Sequence, residues 1–451
     1  MKTKTSLRII CALLSLAVAV SLLSSCDFKK LSQSILDNLS GGSDSGETGE
    51  AKNTPEAANE TPNNPASSEE PEETGGESED PTPGEETKTW SDTYVPSYGS
   101  KVYISKKTAA VPDEYYWRET MSDRYKKAYD EIAAGVGKYL ERIVITTDIS
   151  FSEIETVYRL FTLDHPEVFW YYDGFYATGP SDNIDAINLG LLADKSQIPA
   201  MKKEVETAAR RVLDMIPDGA LDIEAELIIY RCLTSNLKYD LTAANAYTLY
   251  GALIGKRCVC QGYAEAFQYI CYLAGIPCIG IIGEATNSKG VTEAHKWNGV
   301  KIGNEWYPVD VTFGAGGSIS SFAGYFNNAA QIKTNHVNHA SLTKLPLFGS
   351  KAEFFNYYGL VFDSDSFYDT LMRAIHHFSD FKLSSDSLIY SVPLKAKNEV
   401  AKKTITELLS VDEGAYLEQA VSDYNSCFSD RFEFWEFKFD GDVLVIQIFR
   451  I

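Results

Sequence analysis

Apolar positions recur at helical spacing in several stretches of the chain. Between Ser122 and Arg142, the residues Tyr125, Tyr129, Ile132, Val136, Tyr139 and Leu140 fall on one face, which predicts an amphipathic helix. Further helices are predicted over Ser152–Leu163, ending before Asp164-His165-Pro166, and over Met201–Met215 and Ile223–Leu237. The run Phe169-Trp170-Tyr171-Tyr172 reads as core. Between Gly262 and Leu273, Ala264, Phe267, Ile270 and Cys271 form a helical stripe, and Gly275 supplies the stop. Val291–Ile302 and Glu305–Phe313 read as strands joined by Gly303-Asn304. That turn pairs residues whose numbers sum to 607, so Trp297 faces Asp310 and His295 faces Thr312. His295 and Asp310 then share one face, while Val300, Ile302, Tyr307, Val309 and Val311 share the other as an apolar packing surface.

From Ala352 to Ile451 the pattern predicts a small α+β unit without a catalytic constellation. Its elements are a helix over Ser366–His377, a strand over Ser387–Val392, and helices over Lys395–Leu409 and Glu413–Tyr424. A hairpin of Arg431–Phe439 and Val443–Arg450 around Asp440-Gly441 closes it.

The N-terminal part differs in kind. Lys2, Lys4 and Arg8 precede one mostly apolar run, Ile9–Leu23, which is the length of a signal-peptide core and short for a spanning helix. Leu23-Ser24-Ser25-Cys26 follows and resembles the lipobox of bacterial lipoproteins. The resemblance implies lipidation of Cys26 and an extracytoplasmic protein tethered to the cell membrane by its acyl chains. From Gly41 to Lys88 there is no aromatic residue, and acidic side chains outnumber basic ones 14 to 2. Such a segment cannot bury enough apolar surface to order itself, so it is expected to be a solvated tether. The domain reading is therefore 1–25 signal peptide, 26–89 lipidated Cys and acidic linker, 90–219 mostly helical, 220–345 core, and 352–451 the C-terminal α+β unit. The formal net charge of -22 argues against a grip on nucleic acid.

Candidate chemistry lies between Tyr239 and Thr312. Cys260 falls at a predicted helix start, where the dipole and free N–H groups favour thiolate and can meet an oxyanion. His295 and Asp310 supply an imidazole and a carboxylate to orient it. Cys260-Gln261-Gly262-Tyr263-Ala264, Gly275-Ile276-Pro277, His295-Lys296-Trp297-Asn298 and Trp306-Tyr307-Pro308-Val309-Asp310-Val311-Thr312 together resemble the transglutaminase-like (transglutaminase core) superfamily of papain-type thiol enzymes, over about Leu221–Phe313. The resemblance implies a papain-like α+β core, with the helix bearing the nucleophile packed on an antiparallel sheet. It also implies Cys260 as nucleophile, His295 as base and Asp310 as orienting acid, with Tyr250 a weak candidate for an oxyanion donor. Lys296 stands where the family often has a small residue, a departure that is tolerable if the side chain points outward. The implied activity is attack on a peptide or carboxamide carbonyl, resolved by water or by an amine. The implied partners are a protein or peptide substrate, cell-wall peptide included. A catalytically silent module that binds peptide or wall polymer is the competing reading.

No cofactor or metal is expected. Asp363-Ser364-Asp365 fails as a calcium loop because Tyr368 stands where Gly is needed and Ala374 where Glu is needed. His336 and His339 lack supporting ligands at suitable spacing, and His376 and His377 are adjacent and cannot share a helix face. Beyond the anchor the cysteines are 232, 258, 260, 271, 278 and 427, which excludes a rich disulfide framework and leaves room for one bridge.

Overall fold

The computed structural model describes Trp90, Tyr94, residues 98–100, 115–339, 344–378, 389–411, 414–428 and 431–451. The signal segment, Cys26, the acidic tether and most of the 90–115 lead-in lie outside them. Among the described residues, no helix is long and apolar enough to cross a membrane.

In chain order the first elements are α1 (Tyr116–Glu119), α2 (Asp123–Val136), β1 (Arg142–Val144), α3 (Phe151–Asp164), β2 (Tyr176–Thr178) and β3 (Ala186–Asn188). Ser122 caps α2 by accepting the Tyr125 N–H, and Glu153 reaches back to the Ser150 N–H at the start of α3. α2 stops well short of Arg142, because Gly137 and a left-handed Tyr139 (φ 55°) turn the chain into β1. Strands β1, β3 and β2 form a small antiparallel sheet. Phe169, Trp170 and Tyr171 are core, whereas Tyr172 is exposed.

The central elements are α4 (Ile198–Leu213), α5 (Asp222–Asn236), β4 (Lys238–Tyr239), β5 (Arg257–Cys258), α6 (Cys260–Ala274), β6 (Cys278–Thr286), β7 (Thr292–Ile302) and β8 (Glu305–Val309). After them come α7 (Val311–Gly314), α8 (Ile319–Gly324), α9 (Ala329–Asn335) and β9 (His336–Asn338). A four-stranded antiparallel sheet runs β8-β7-β6-β9, and α6 packs against β6 and β7. α6 is buried nearly throughout, and left-handed Gly275 (φ 75°) ends it. The β7–β8 register is the expected one, with Asn298 opposite Val309 and Ile302 opposite Glu305. The strand ends at Val309, however, and Val311–Phe313 are helical. Asp310 accepts the Thr312 and Phe313 N–H groups and so caps α7.

The last elements are α10 (Phe354–Tyr357), β10 (Val361–Phe362), α11 (Phe367–Phe378), β11 (Ile389–Ala396), α12 (Glu399–Val411), α13 (Ala415–Cys427), β12 (Phe432–Asp440) and β13 (Val443–Arg450). Their sheet runs β10-β11-β13-β12, and Gly441 (φ 64°) turns the final hairpin. β11 continues to Ala396, so Lys395 is in a strand and the next helix begins only at Glu399. One contiguous apolar cluster draws on all three segments, 90–219, 220–345 and 352–451. Ile132, Phe161, Phe267, Tyr307, Phe354 and Ile446 all belong to it.

Candidate active site

Cys260 is the first residue of α6, with extended Val259 before it. Gly262 makes this start possible: a Cβ there would lie 2.6 Å from Cys258 Cβ and 3.1 Å from the Thr248 carbonyl oxygen. His295 sits near the outer end of β7, paired with Gly283 of β6. Asp310 stands between β8 and α7 and is fully buried.

The structure brings His295 and Asp310 into bonding contact, and Cys260 lies where His295 acts on its thiol. His295 Nε2 lies 2.7 Å from Asp310 Oδ2, which leaves Nδ1 for the side-chain hydrogen bond between His295 and Cys260. The Lys296 backbone N–H also favours the charged form of the Cys260 sulfur. Burial opposes a charged Cys260, yet the His295 hydrogen bond, its positive charge and the Lys296 N–H outweigh it, so the thiol is held below its ordinary range. Burial likewise opposes a charged His295. The Asp310 charge and hydrogen bond, with the Cys260 contact, prevail and raise it to about 10. Asp310 is depressed despite its burial, because His295 and His336 both bond it. A thiolate beside an imidazolium is the favoured state of such a pair.

The remaining candidates differ from expectation. The Tyr250 hydroxyl donates its single proton to Glu204 Oε2 at 2.7 Å, so in this arrangement it has none to offer an oxyanion. Lys296 points inward, not outward. Its Nζ lies 3.0 Å from Glu265 Oε1, with both side chains less than a tenth exposed. Glu265 also accepts Gln261 Nε2 at 2.9 Å and the Leu249 N–H at 3.0 Å. Lys296 shares the face of Val300 and Ile302, so the alternation that made that face a packing surface carried the signal for an inward lysine. All six described cysteines are free.

Sequence reasoning weighed His336 only as a zinc ligand with His339. The structure instead places His336 Nε2 2.8 Å from the same Asp310 Oδ2 that His295 approaches. His295, Asp310 and His336 are also the cluster of potential metal ligands among the described residues. Their 2.7 and 2.8 Å separations are hydrogen-bond lengths. Donors sharing a zinc at about 2.0–2.1 Å in tetrahedral geometry stand about 3.4 Å apart. Both ring nitrogens converge on one oxygen, and each ring N–H can donate to it.

Residues 209–311 match the model of the transglutaminase-like superfamily. Human kyphoscoliosis peptidase is 28% identical over 117 residues, covering 23% of this chain and 18% of that protein. The mouse protein of the same name is 27% identical over 117 residues, with the same coverage. The chain thus spans under a fifth of the length of these relatives. A solved TGase structure is similar over 38% of this chain and 50% of its own, at 12% identity and a TM-score of 0.23. Cys260, His295 and Asp310 all fall inside the matched residues, whereas His336 lies beyond them. The part of this chain from 209 to 311 is accordingly a transglutaminase-like domain.

Proposed function

We propose that this protein is a cysteine-dependent acyl-transfer enzyme acting on peptide or carboxamide carbonyls. The observation that carries the reading is the pairing of one imidazole with both Cys260 and Asp310 at the N-terminus of a buried helix. In the proposed reaction the Cys260 thiolate attacks the carbonyl carbon. The oxygen that becomes negative meets backbone N–H groups of the first turn of α6. His295, as imidazolium, gives its Nδ1 proton to the departing amine, and the acyl group remains on sulfur as a thioester. His295 then takes a proton from water as the water attacks, releasing a carboxylic acid and restoring the thiolate. Asp310 keeps the ring oriented and stabilises its positive charge throughout. An amine in place of water would give a cross-link. We favour hydrolysis, and the peptidase name of the curated relatives supports it. The N-terminal pattern supports a lipid anchor at Cys26 and an extracytoplasmic site of action, with secreted proteins or cell-wall peptides as substrates.

Iodoacetamide at neutral pH tests the reading. Cys260 is expected to react ahead of the other cysteines, and His295→Ala to remove that preference. Uniform labelling of all the cysteines would refute activation. Peptide libraries incubated with and without an amine acceptor then separate hydrolysis from cross-linking.

A further inference from the structure

The proposed reaction uses only one of the two imidazoles bound to Asp310. Oδ1 accepts the backbone N–H groups of Thr312 at 2.7 Å and Phe313 at 3.0 Å. Oδ2 takes His295 Nε2 at 2.7 Å and His336 Nε2 at 2.8 Å. A carboxylate offers about four lone-pair sites, so this one is saturated.

His336 is itself held from every side. Its Nδ1 lies 2.7 Å from Asn335 Oδ1. The Asn335 amide nitrogen donates to the Tyr325 hydroxyl at 2.7 Å and faces the Thr286 carbonyl at 3.4 Å, which fixes the amide orientation. Tyr325 closes the loop, because its backbone carbonyl accepts the Asp310 N–H at 3.0 Å. The rings of Trp297, Phe313 and Tyr325 surround the His336 ring at 5.1, 4.9 and 6.0 Å. Its backbone is placed by the pairing of β9 with β6, where Ala285 faces His336. That pairing needs Gly283, since a Cβ there would come within 2.0 Å of the Val337 carbonyl oxygen.

We propose that His336 is a positioning residue for the Cys260–His295 pair, its Nε2–H pinning Asp310 Oδ2 so that the carboxylate meets His295 in a single orientation. The inference rests on the thiol-enzyme reading above and deepens it. Oδ1 stays anchored to the backbone in either case. Without the second imidazole, Oδ2 is free to turn about that anchor and leave the plane of the His295 ring. His295 would then lose the support that keeps it charged.

Among the described residues, the titratable groups facing this network include Lys296 of β7 and Glu265 of α6, paired with each other at 3.0 Å. Cys260 and Cys258 approach from the start of α6 and from β5, Tyr230 from α5, and Tyr325 from the segment after α8. His295 and His336 have ring centroids 5.3 Å apart. The pH–rate profile of Cys260 alkylation by iodoacetamide in the full-length protein therefore reads the network directly. The unsubstituted protein is expected to show a rise where Cys260 ionises, a plateau, and an upper limb rising further as His295 loses its proton near 10 and leaves the thiolate without its cation. His336→Phe keeps a ring in the aromatic cage and removes the donor. It is expected to lower the plateau about tenfold. His336→Gln, equally uncharged, offers an amide N–H near the former Nε2 and is expected to restore it. Circular dichroism verifies each fold. If the Phe variant does not fold, His336→Asn, too short to reach Asp310, replaces it with the same expectation. A Phe or Asn variant with an unaltered plateau would overturn the inference, as would a Gln variant no better than Phe. An unsubstituted protein without an upper limb would overturn the thiolate–imidazolium reading itself, a result visible before any variant is made.

Discussion

Lys296→Met perturbs the candidate site while leaving every proposed reacting group in place. Lys296 and Glu265 form a pair 3.0 Å apart, and their side chains are 8% and 9% exposed. Removing one partner of a buried ion pair costs about 3–5 kcal/mol, because the other charge is left uncompensated. Glu265 would keep two donors, the Leu249 N–H and Gln261 Nε2, and can also shed its charge by taking a proton. The cost therefore belongs at the low end, about 3 kcal/mol at neutral pH. The pH dependence follows from the same group. Burial already holds the Glu265 carboxyl above its ordinary range, against the pull of the Lys296 charge and of the Lys296 and Gln261 hydrogen bonds. A carboxyl raised in the folded state keeps its proton where the unfolded chain has lost it, so stability falls as pH climbs past the unfolded value. Losing Lys296 raises the carboxyl further. The destabilisation should thus be small below about pH 4 and largest near neutrality. Glu265→Gln in the same chain removes the stranded charge and keeps an acceptor for the Leu249 N–H. The double variant should recover about 2 kcal/mol at neutral pH. Urea unfolding followed by tryptophan fluorescence across this pH range, with the slope unchanged between variants, gives the differences. A Lys296→Met protein within about 0.5 kcal/mol of the parent at neutral pH would refute the reasoning, as would a loss that does not vary with pH.

Two further outcomes are expected. Gly262→Ala places a methyl group 2.6 Å from Cys258 Cβ and should cost about 1–3 kcal/mol of overpacking, read as a lower urea midpoint with slower Cys260 alkylation. Asp310→Asn removes the carboxylate that helps hold His295 at about 10. A raised histidine stabilises the fold fully below its unfolded value and loses that contribution as pH rises through its folded value. In a Cys260→Ala background, which removes the opposing gain from the lowered thiol, the fold should therefore lose stability as pH rises from about 6.5 through the folded value of His295, and Asp310→Asn should lose most of that slope. Urea midpoints across the interval measure it.

What the sequence made legible was local. The stripe Ala264, Phe267, Ile270 and Cys271 places Cys260 at a helix start, and the two-residue turn Gly303-Asn304 sets the β7–β8 register without tertiary information. Strand alternation fails at Asp310, where a side chain competes for backbone donors. The carboxylate bonds two N–H groups and turns the chain into α7, three residues before the expected strand end. That failure moves the Asp310 side chain little, because β8 already carries the chain to Val309. Tyr250 could not be assigned from its place upstream of Cys260, since its partner Glu204 comes from α4. His336 was further out of reach. It meets Asp310 only because β9 returns along β6, a pairing set by Gly283 and by the intervening helices and carrying no motif of its own.

Successive residues of β7 explain why such a charged site is compatible with a packed interior. His295 bonds the Cys260 side chain, the Lys296 N–H favours the charged form of the same sulfur, and the Lys296 ammonium bonds Glu265 on the same helix. The nucleophile is thus located relative to one strand by contacts from two adjacent residues, one of them reaching past it into α6. Buried polar groups are tolerable when each has its partners, and partial satisfaction is worse than none. Among the described residues, no buried side-chain nitrogen or oxygen of His295, Asp310, His336, Glu265 or Lys296 lacks a hydrogen-bond partner. A network so complete resists rotation of any one member, which is what a reaction needs when a proton must pass from one fixed ring to a leaving amine. The same completeness makes the site brittle: a change to the side chain of Lys296 or His336, each of which acts on the reacting groups through Glu265 or Asp310, should propagate to Cys260 more strongly than equal changes elsewhere in the core.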